Sequence, residues 1–426
     1  MKRMRVLVLT DKYYPKPYAN AVCAQALIKE FNKKNIDITV LAYKDCGVDG
    51  VSTWEGNPVI YVKPDLRQSL FYWADNNGRS RKAKLAREIA KILNRVKKLF
   101  LIPWQPLYSL SMPYKIRKVI ENYYDTEGFD AIVSILNPFE LSVAACRFRK
   151  KHPAIPVVVY AVDTLRSDYI KGNQAFANGF FWEKRLLKDC SAYFYMKARK
   201  EEFSSHRYDE YRKKLVEVDL PRLEIKDIDN IQKYDFDSSY EHWVYAGSIG
   251  GIHYAYEDML SIFETISSNR KCILHMYIRG AEADRIKEIA EKKHLPIIVH
   301  GYVAQDVLES IMASCDVLVT LKSSNHISAK IFECISYQKP IVHFSGVEDD
   351  PNAEYYVKCA AYKVVKMYSA NIEAELIELE KYLDRIGKIN ISKKDTEELY
   401  YESTPKYSVK LIIDRIKEQN NGFKNK

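Results

Sequence analysis

An α/β protein of two doubly wound domains is what this sequence predicts, on three observations. The chain opens strand–loop–helix–strand, and the alternation returns before residue 200. A second strand–helix series of similar size starts near Trp243. Between the two, residues 220–239 turn polar and charged around Pro221, with no periodicity. Alternating strands and helices favour parallel sheets covered on both faces. The reading is therefore a first domain at 1–220, a linker at 221–240, a second domain at 241–395, and a tail at 396–426. The two domains are expected to face each other across a cleft, with ligands at the carboxyl ends of the strands.

Residues 5–10 form a short apolar strand, and 11–17 a loop punctuated by Pro15 and Pro17. Val22, Ala26, Leu27 and Phe31 recur at helical spacing over 19–32, and 36–43 is a second strand. Residues 50–118 break the alternation and read as an insertion. The unit then resumes with strands at 131–136, 156–162 and 192–196, and helices at 138–150 and 176–188. In the second series, strands are expected at 243–246, 272–278, 297–300, 316–321 and 340–344. Helices are expected at 254–267, 282–293, 306–313 and 329–337. Beyond 370 the chain reads as helical. Val409, Ile412, Ile413 and Ile416 fall at i, i+3, i+4 and i+7, a face suited to a last helix crossing back onto the first domain.

Composition excludes several classes. With 426 residues, two domains are the natural prior at roughly 100–200 residues each. Apolar residues make up 47%, too many for a disordered chain. Only 15 glycines against 32 tyrosines argue against low-complexity or collagen-like sequence. No apolar run approaches the ~18 residues of a membrane-spanning helix. The run Val6 to Leu9 is ended by Asp11-Lys12 and is too short for a secretory signal. Eight scattered cysteines without a C-x-x-C pair point to a reduced, cytoplasmic protein with buried thiols and no metal site.

The net charge of +10 is concentrated. Between Arg79 and Lys98, nine cations face a single acid, Glu88, so this stretch alone carries +8. As a helix it would gather Leu85, Ile89, Ile92, Leu93 and Val96 on one side, with Leu99 to Trp104 following. Three readings compete. The helix could pack by its apolar stripe and expose its charges. It could bind nucleic acid, but no recognised module accompanies it. It could lie on an anionic membrane surface, apolar side down. The membrane surface, through 79–104, is the partner expected, and nucleic acid is not.

Two short stretches could carry chemistry. Gly247-Ser248-Ile249-Gly250-Gly251 holds three glycines between a strand and a helix. Such a loop lets a backbone approach phosphate, or it is simply a tight turn. In Ser328-Ala329-Lys330-Ile331-Phe332-Glu333, Ser328 could cap a helix, and Lys330 and Glu333 share a face at i, i+3. The pair could hold phosphate and ribose, or form an exposed ion pair of roughly 0–1 kcal/mol.

These stretches, with Tyr13-Tyr14-Pro15, Trp243 to Gly250, His300-Gly301-Tyr302-Val303, Asp316 to Val319 and Lys339 to Val342, occur in order over nearly the whole chain. In this the sequence resembles the GT-B glycosyltransferases of the large retaining family, family 4-like, and within it the bacterial surface-polysaccharide branch. The second half matches well and the first only in outline. The resemblance implies a GT-B fold of two Rossmann-like domains and a retaining, metal-independent hexosyltransferase needing no cofactor. Its donor would be a nucleotide-diphosphate sugar, UDP- or GDP-linked. Its acceptor would be a glycan or lipid-linked glycan of surface polysaccharide, lipopolysaccharide or exopolysaccharide synthesis, met at the inner face of the membrane. Gly247, Ser248 and Gly250 would line the diphosphate. Lys330 would neutralise it, with Arg279 as a second cation and Ser328 at the same loop. Glu333 would hold the ribose, Tyr302 and Val303 the base, and Asp163 would stand over the sugar, or pair with Arg166 as a loop ion pair.

Two departures stand out. The family's first glutamate, eight positions before Glu333, is Asn325 here, which can hydrogen-bond a sugar hydroxyl but carries no charge. Its Gly-Gly after the first strand is Ala19-Asn20. Asn20, Asn325 and His326 are thus weaker site candidates. Two alternatives remain: a nucleotide-sugar epimerase of the same fold, and a non-catalytic glycosyltransferase-like partner protein.

Overall fold

The computed structural model describes residues 3–14, 17–45, 53–78, 80–101, 104–107, 109–162, 178–251, 253–324, 327–389 and 391–424. The chain divides into two compact units, Met1–Pro221 with Glu402–Lys426, and Arg222–Tyr401.

In the first unit the chain runs β1 (Arg5–Thr10), α1 (Ala19–Lys33), β2 (Asp37–Tyr43), β3 (Thr53–Trp54), β4 (Asn57–Val62), α2 (Leu66–Asn76), α3 (Arg81–Phe100) and α4 (Met112–Thr126). It continues with β5 (Ala131–Ile135), α5 (Phe139–Lys151), β6 (Val157–Ala161), α6 (Gly179–Asp189), β7 (Ala192–Met196), α7 (Lys200–Ser204) and β8 (Leu215–Val218). Eight strands form one sheet in the order β3-β4-β2-β1-β5-β6-β7-β8, parallel except for the β3–β4 pair. β1 is apolar from Val6 to Leu9 because both its faces are covered. Leu7 and Leu9 enter the core on one face with Leu41 and Ile132. Val6 and Val8 enter the other with Val40 and Val133. This is the period-two alternation of a strand serving two cores.

The stretch expected to be an insertion begins as sheet: β4 pairs in parallel with β2, Val40 opposite Val59. The helical excursion is confined to α2, α3 and α4. β8 was not foreseen either, being four residues long with alternating partial burial.

The burial of α3 decides against one of the three readings of this helix, packing by its apolar stripe. Ser80 caps the helix, its hydroxyl accepting the Ala83 amide at 3.1 Å. Ala83, Ala86 and Ala90 are the buried face, and the first two pack with Ala74, Leu70 and Trp73 of α2. Small side chains let the helix backbones approach, which the bulky stripe would prevent. Leu85 is 62% exposed, and Ile89, Ile92, Val96, Leu99 and Phe100 are exposed beside it. The helix is therefore not packed by its apolar stripe. Arg87 reaches Asp75 at 3.2 Å and Lys97 reaches Asp65 at 2.8 Å, tying α3 to α2.

The α2 helix is in turn fastened to the carboxyl ends of β1 and β2. Lys12 and Asp45 form an ion pair at 2.8 Å with both side chains at 1% exposure or less. Asn76 donates to the same carboxylate at 2.9 Å, and the Tyr72 hydroxyl donates to Asp11 at 2.5 Å. Burial raises the Asp11 carboxyl above the ordinary carboxylate range, against the opposing pull of Tyr72 and Lys12.

The second unit runs β9 (Glu241–Ala246), α8 (Glu257–Asn269), β10 (Cys272–Tyr277), α9 (Ala281–Lys293), β11 (Ile297–His300), α10 (Gln305–Ser314) and β12 (Val317–Lys322). It continues with α11 (Lys330–Ile335), β13 (Ile341–Ser345), α12 (Ala353–Tyr356), β14 (Tyr362–Lys366), α13 (Ile372–Leu383) and α14 (Lys393–Leu399). Its six strands are parallel, in the order β11-β10-β9-β12-β13-β14. β14 went unread because its two lysines hide a strand with only partial burial. The chain then re-enters the first unit. α15 (Pro405–Lys424) places Val409, Ile412 and Ile416 in the core beside Leu27, Ile28 and Phe31 of α1. Ser408 meets the Tyr160 hydroxyl at 2.9 Å.

Candidate functional site

In the second sheet β9 is central. β10 and β11 extend to one side of it, and β12 to β14 to the other. The strand order reverses between β9 and β12, the crevice where open α/β sheets bind ligands. A cavity of about 390 Å³ opens there. Gly247 and Ser248 follow β9 on its wall. Thr320 to Lys322 end β12, residues 327–331 pass across it, and His343, Asn352 and Tyr356 also line it.

Of the expected site residues, Gly247, Ser248, Ser328 and Lys330 come together in this cavity. Gly247 has φ 155°, and a Cβ there would sit 3.2 Å from the Lys330 ammonium. The absent side chain is what lets Lys330 lie against the backbone, where its Nζ donates to the Ala246 carbonyl. Glu333 stands 3.6 Å from Lys330, half-buried, and does not line the cavity. Gly250, at φ 84°, takes a supporting part: its amide donates to the Tyr254 carbonyl at 2.8 Å and closes the loop on itself. That closure corrects another expectation. The glycine loop does not run straight into a helix, because α8 begins only at Glu257.

Ser328 is not a helix cap of the expected kind. Its hydroxyl accepts the Lys330 amide at a long 3.4 Å, while its own amide donates to Asn352 Oδ1 at 2.8 Å. Arg279 and Tyr302 lie outside the cavity. They meet each other, the guanidinium 5.2 Å from the ring centroid, and Tyr302 is 75% exposed. Val303 is half-buried and also outside the cavity lining. Asp163, Arg166, Asn325 and His326 lie outside the described residues.

The second cation in the cavity is Lys322, which the sequence reading passed over. It is 5% exposed, and its ammonium sits 4.5 Å from the centroid of the Tyr254 ring. Among the described residues no carboxylate pairs with it. A lysine closing the apolar run Val317 to Leu321 was the available signal. Behind it, His343 Nε2 lies 2.8 Å from Asp350, and its Nδ1 lies 2.8 Å from the Thr320 hydroxyl. Burial alone would raise the Asp350 carboxyl. The hydrogen bond and charge of His343, with the Asn352 amides, bring it below the ordinary value instead. Asp350 is thus engaged by its neighbours, while Lys330 has Glu333 at 3.6 Å and Lys322 has no carboxylate partner among the described residues. Such a cavity suits a polyanion. Among the described residues no group of His, Cys, Asp and Glu side chains could hold a metal ion.

Three histidines cross the same sheet in a hydrogen-bonded line. His242 Nε2 donates to the Asp237 carbonyl at 2.8 Å. That carbonyl can only accept, so the proton positions follow along the line. His275 Nε2 donates to His242 Nδ1 at 2.9 Å, and His300 Nε2 donates to His275 Nδ1 at 3.0 Å. Burial, with the neighbouring His300 and His242, lowers His275 from 6.5 to about 4, and burial lowers His300 as well. Because the folded values lie below 6.5, the unfolded chain takes up protons first as pH falls. Stability is expected to be full above pH 6.5, to fall between 6.5 and about 4, and to level off below. With solvent screening the loss is about 1–2 kcal/mol. Urea unfolding at pH 7.5 and pH 4.5 should show a larger drop for the native chain than for His275→Leu. Equal drops would remove the histidine line as the cause.

No family model and no curated protein matches the chain. Solved structures do. Sucrose-phosphate synthase from Thermosynechococcus elongatus superposes with a TM-score of 0.61 at 10% identity, over 98% of this chain and 99% of that one. The catalytic domain of starch synthase IV from Arabidopsis thaliana, bound to ADP and acarbose, gives 0.57 at 10% identity, over 99% and 100%. The fold is GT-B. A protein described as a UDP-N-acetylglucosamine 2-epimerase from Listeria monocytogenes gives 0.54 at 13% identity, over 98% and 96%. The GT-B likeness therefore spans both units of the chain, and at these identities it speaks for the fold alone.

Proposed function

We propose that the chain is a glycosyltransferase that uses a nucleotide-diphosphate sugar, UDP- or GDP-linked. The observation that carries this reading is a buried lysine without an acidic partner among the described residues, Lys322, sharing a glycine-edged cavity with Lys330 at the switch point of the sheet. Burying an ammonium without a counter-charge is costly, and a diphosphate would offset that cost. Two lysines converging on a departing diphosphate could stabilise its charge, so the reaction is proposed to be metal-independent. Following the resemblance, the transfer retains anomeric configuration, with a donor phosphate oxygen taking the acceptor hydroxyl proton. The acceptor is a glycan or lipid-linked glycan of bacterial surface polysaccharide, lipopolysaccharide or exopolysaccharide synthesis. The enzyme works in the cytoplasm, peripherally on the inner face of the membrane.

A thermal-shift panel of UDP-, GDP-, ADP- and dTDP-sugars tests the reading, since a ligand of the folded state raises its melting temperature. A UDP- or GDP-sugar is expected to shift the native chain, and Lys322→Met to weaken that binding about tenfold or more, roughly 1.4 kcal/mol. No shift from any nucleotide would overturn the proposal. The likeness to the 2-epimerase supports a second reading, in which donor alone is converted. A new nucleotide sugar formed without acceptor would favour it.

A further inference from the structure

We propose that the outward face of α3 docks on an anionic lipid bilayer. This extends the peripheral-membrane part of the reading above and takes its biological sense from it, while the physical claim needs no donor. Projected at 100° per residue, Leu85, Ile89, Ile92 and Val96 fall within about 60° of one another. That stripe lies about 120° from the alanine face packed on α2. Four of the five bulky apolar side chains are therefore left exposed by the packing, and the fifth, Leu93, is half-buried. Phe100, 77% exposed at the helix end, and Trp104 beyond it are exposed as well.

The charges are sorted in the same way. Arg87 and Lys97, on the α2 side, are engaged by Asp75 and Asp65. Arg81, Lys82, Lys84 and Arg95 are exposed and carry no ion pair among the described residues. Lys84, Lys91 and Arg95 fall within about 40° of one another on the flank beside the stripe. Glu88 is the lone acid of the helix and is held by Lys91 at 2.6 Å. An apolar stripe flanked by Lys84 and Arg95, which carry no ion pair among the described residues, with Arg87 and Lys97 neutralised on the inner side, complements a surface that is apolar below and anionic at its rim. At 20 residues the helix is about 30 Å long, and no helix among the described residues is long and apolar enough to cross a membrane. It would lie in the interface plane.

The test is co-sedimentation of the full chain with vesicles of phosphatidylcholine alone, or with about a third phosphatidylglycerol, without nucleotide sugar. The native chain is expected to bind the anionic vesicles at least tenfold more strongly, and less as salt rises. Leu85→Ser/Ile92→Ser/Val96→Ser should reduce that binding at least tenfold. Lys84→Gln/Lys91→Gln/Arg95→Gln should remove the preference for anionic lipid. All six positions are exposed, so the fold should persist, and unchanged melting temperatures would verify it. Equal binding to both vesicles, or binding that neither set alters, overturns the proposal. So does a native dimer in light scattering that the apolar set converts to monomer, which would make the stripe a self-association surface. Nucleotide-sugar shifts on the same variants report the donor site separately.

Discussion

Lys330→Ala should lower turnover of the nucleotide-sugar donor by about 100- to 1,000-fold, the range for removing one preorganised donor from a developing anion. The ammonium is held in place before any ligand arrives, by the Ala246 carbonyl and by Glu333 at 3.6 Å. Little reorganisation is then needed when charge develops on the leaving group. The same change removes one of the two lysines that line the cavity among the described residues. The thermal shift from the best nucleotide should shrink with it, while the ligand-free melting temperature moves little, since the residue is partly exposed. Lys330→Arg should recover part of the turnover, because charge is kept and reach differs. Turnover within threefold of native in a purified-enzyme assay would exclude Lys330 from the site.

A second large effect is expected far from that cavity, on stability. Lys12→Met leaves Asp45 fully buried without its cation, and breaking a buried pair from one side costs about 3–5 kcal/mol. Asp45 would keep the Asn76 amide but lose its counter-charge, while Asp11 nearby is itself buried. Lys12→Met/Asp45→Leu should restore much of the loss, since an apolar pair in place of an ion pair is often neutral. Hydrogen exchange at the β1 and β2 amides resolves the first unit from the second. Protection reduced by less than about 1 kcal/mol in the single variant would show that the pair is solvated in solution.

Much of the fold could be read locally. β1, β7 and β11 fall where their apolar runs predicted, and the ends of most other elements shift by only a residue or a few. Parallel strands buried on both faces write themselves as short apolar blocks, and amphipathic helices as 3.6-residue periods. The strands that escaped are edge or outer strands. β4, β8 and β14 each mix buried with partly exposed or charged positions, so their sequences resemble loops. The glycine loop and the lysine at 330 were also legible, because each is contiguous in sequence.

What converges from distant segments was not legible. Lys322 reads as the end of a strand. Only the fold brings it to Tyr254, 68 positions earlier, and to the cavity it shares with Lys330. Lys12 reads as a surface loop residue, and only the packing of α2 on the carboxyl ends of β1 and β2 buries it against Asp45. α3 shows the division most plainly. Its sequence determined that it would be a helix, that its bulky apolar residues would share one side, and that its cations would crowd around them. It could not determine which side meets the protein. Periodicity fixes which residues share a face, but burial goes to the face that finds a complementary partner. Here that partner is the small-residue surface of α2, which accepts Ala83 and Ala86 and leaves Leu85, Ile92 and Val96 to the outside.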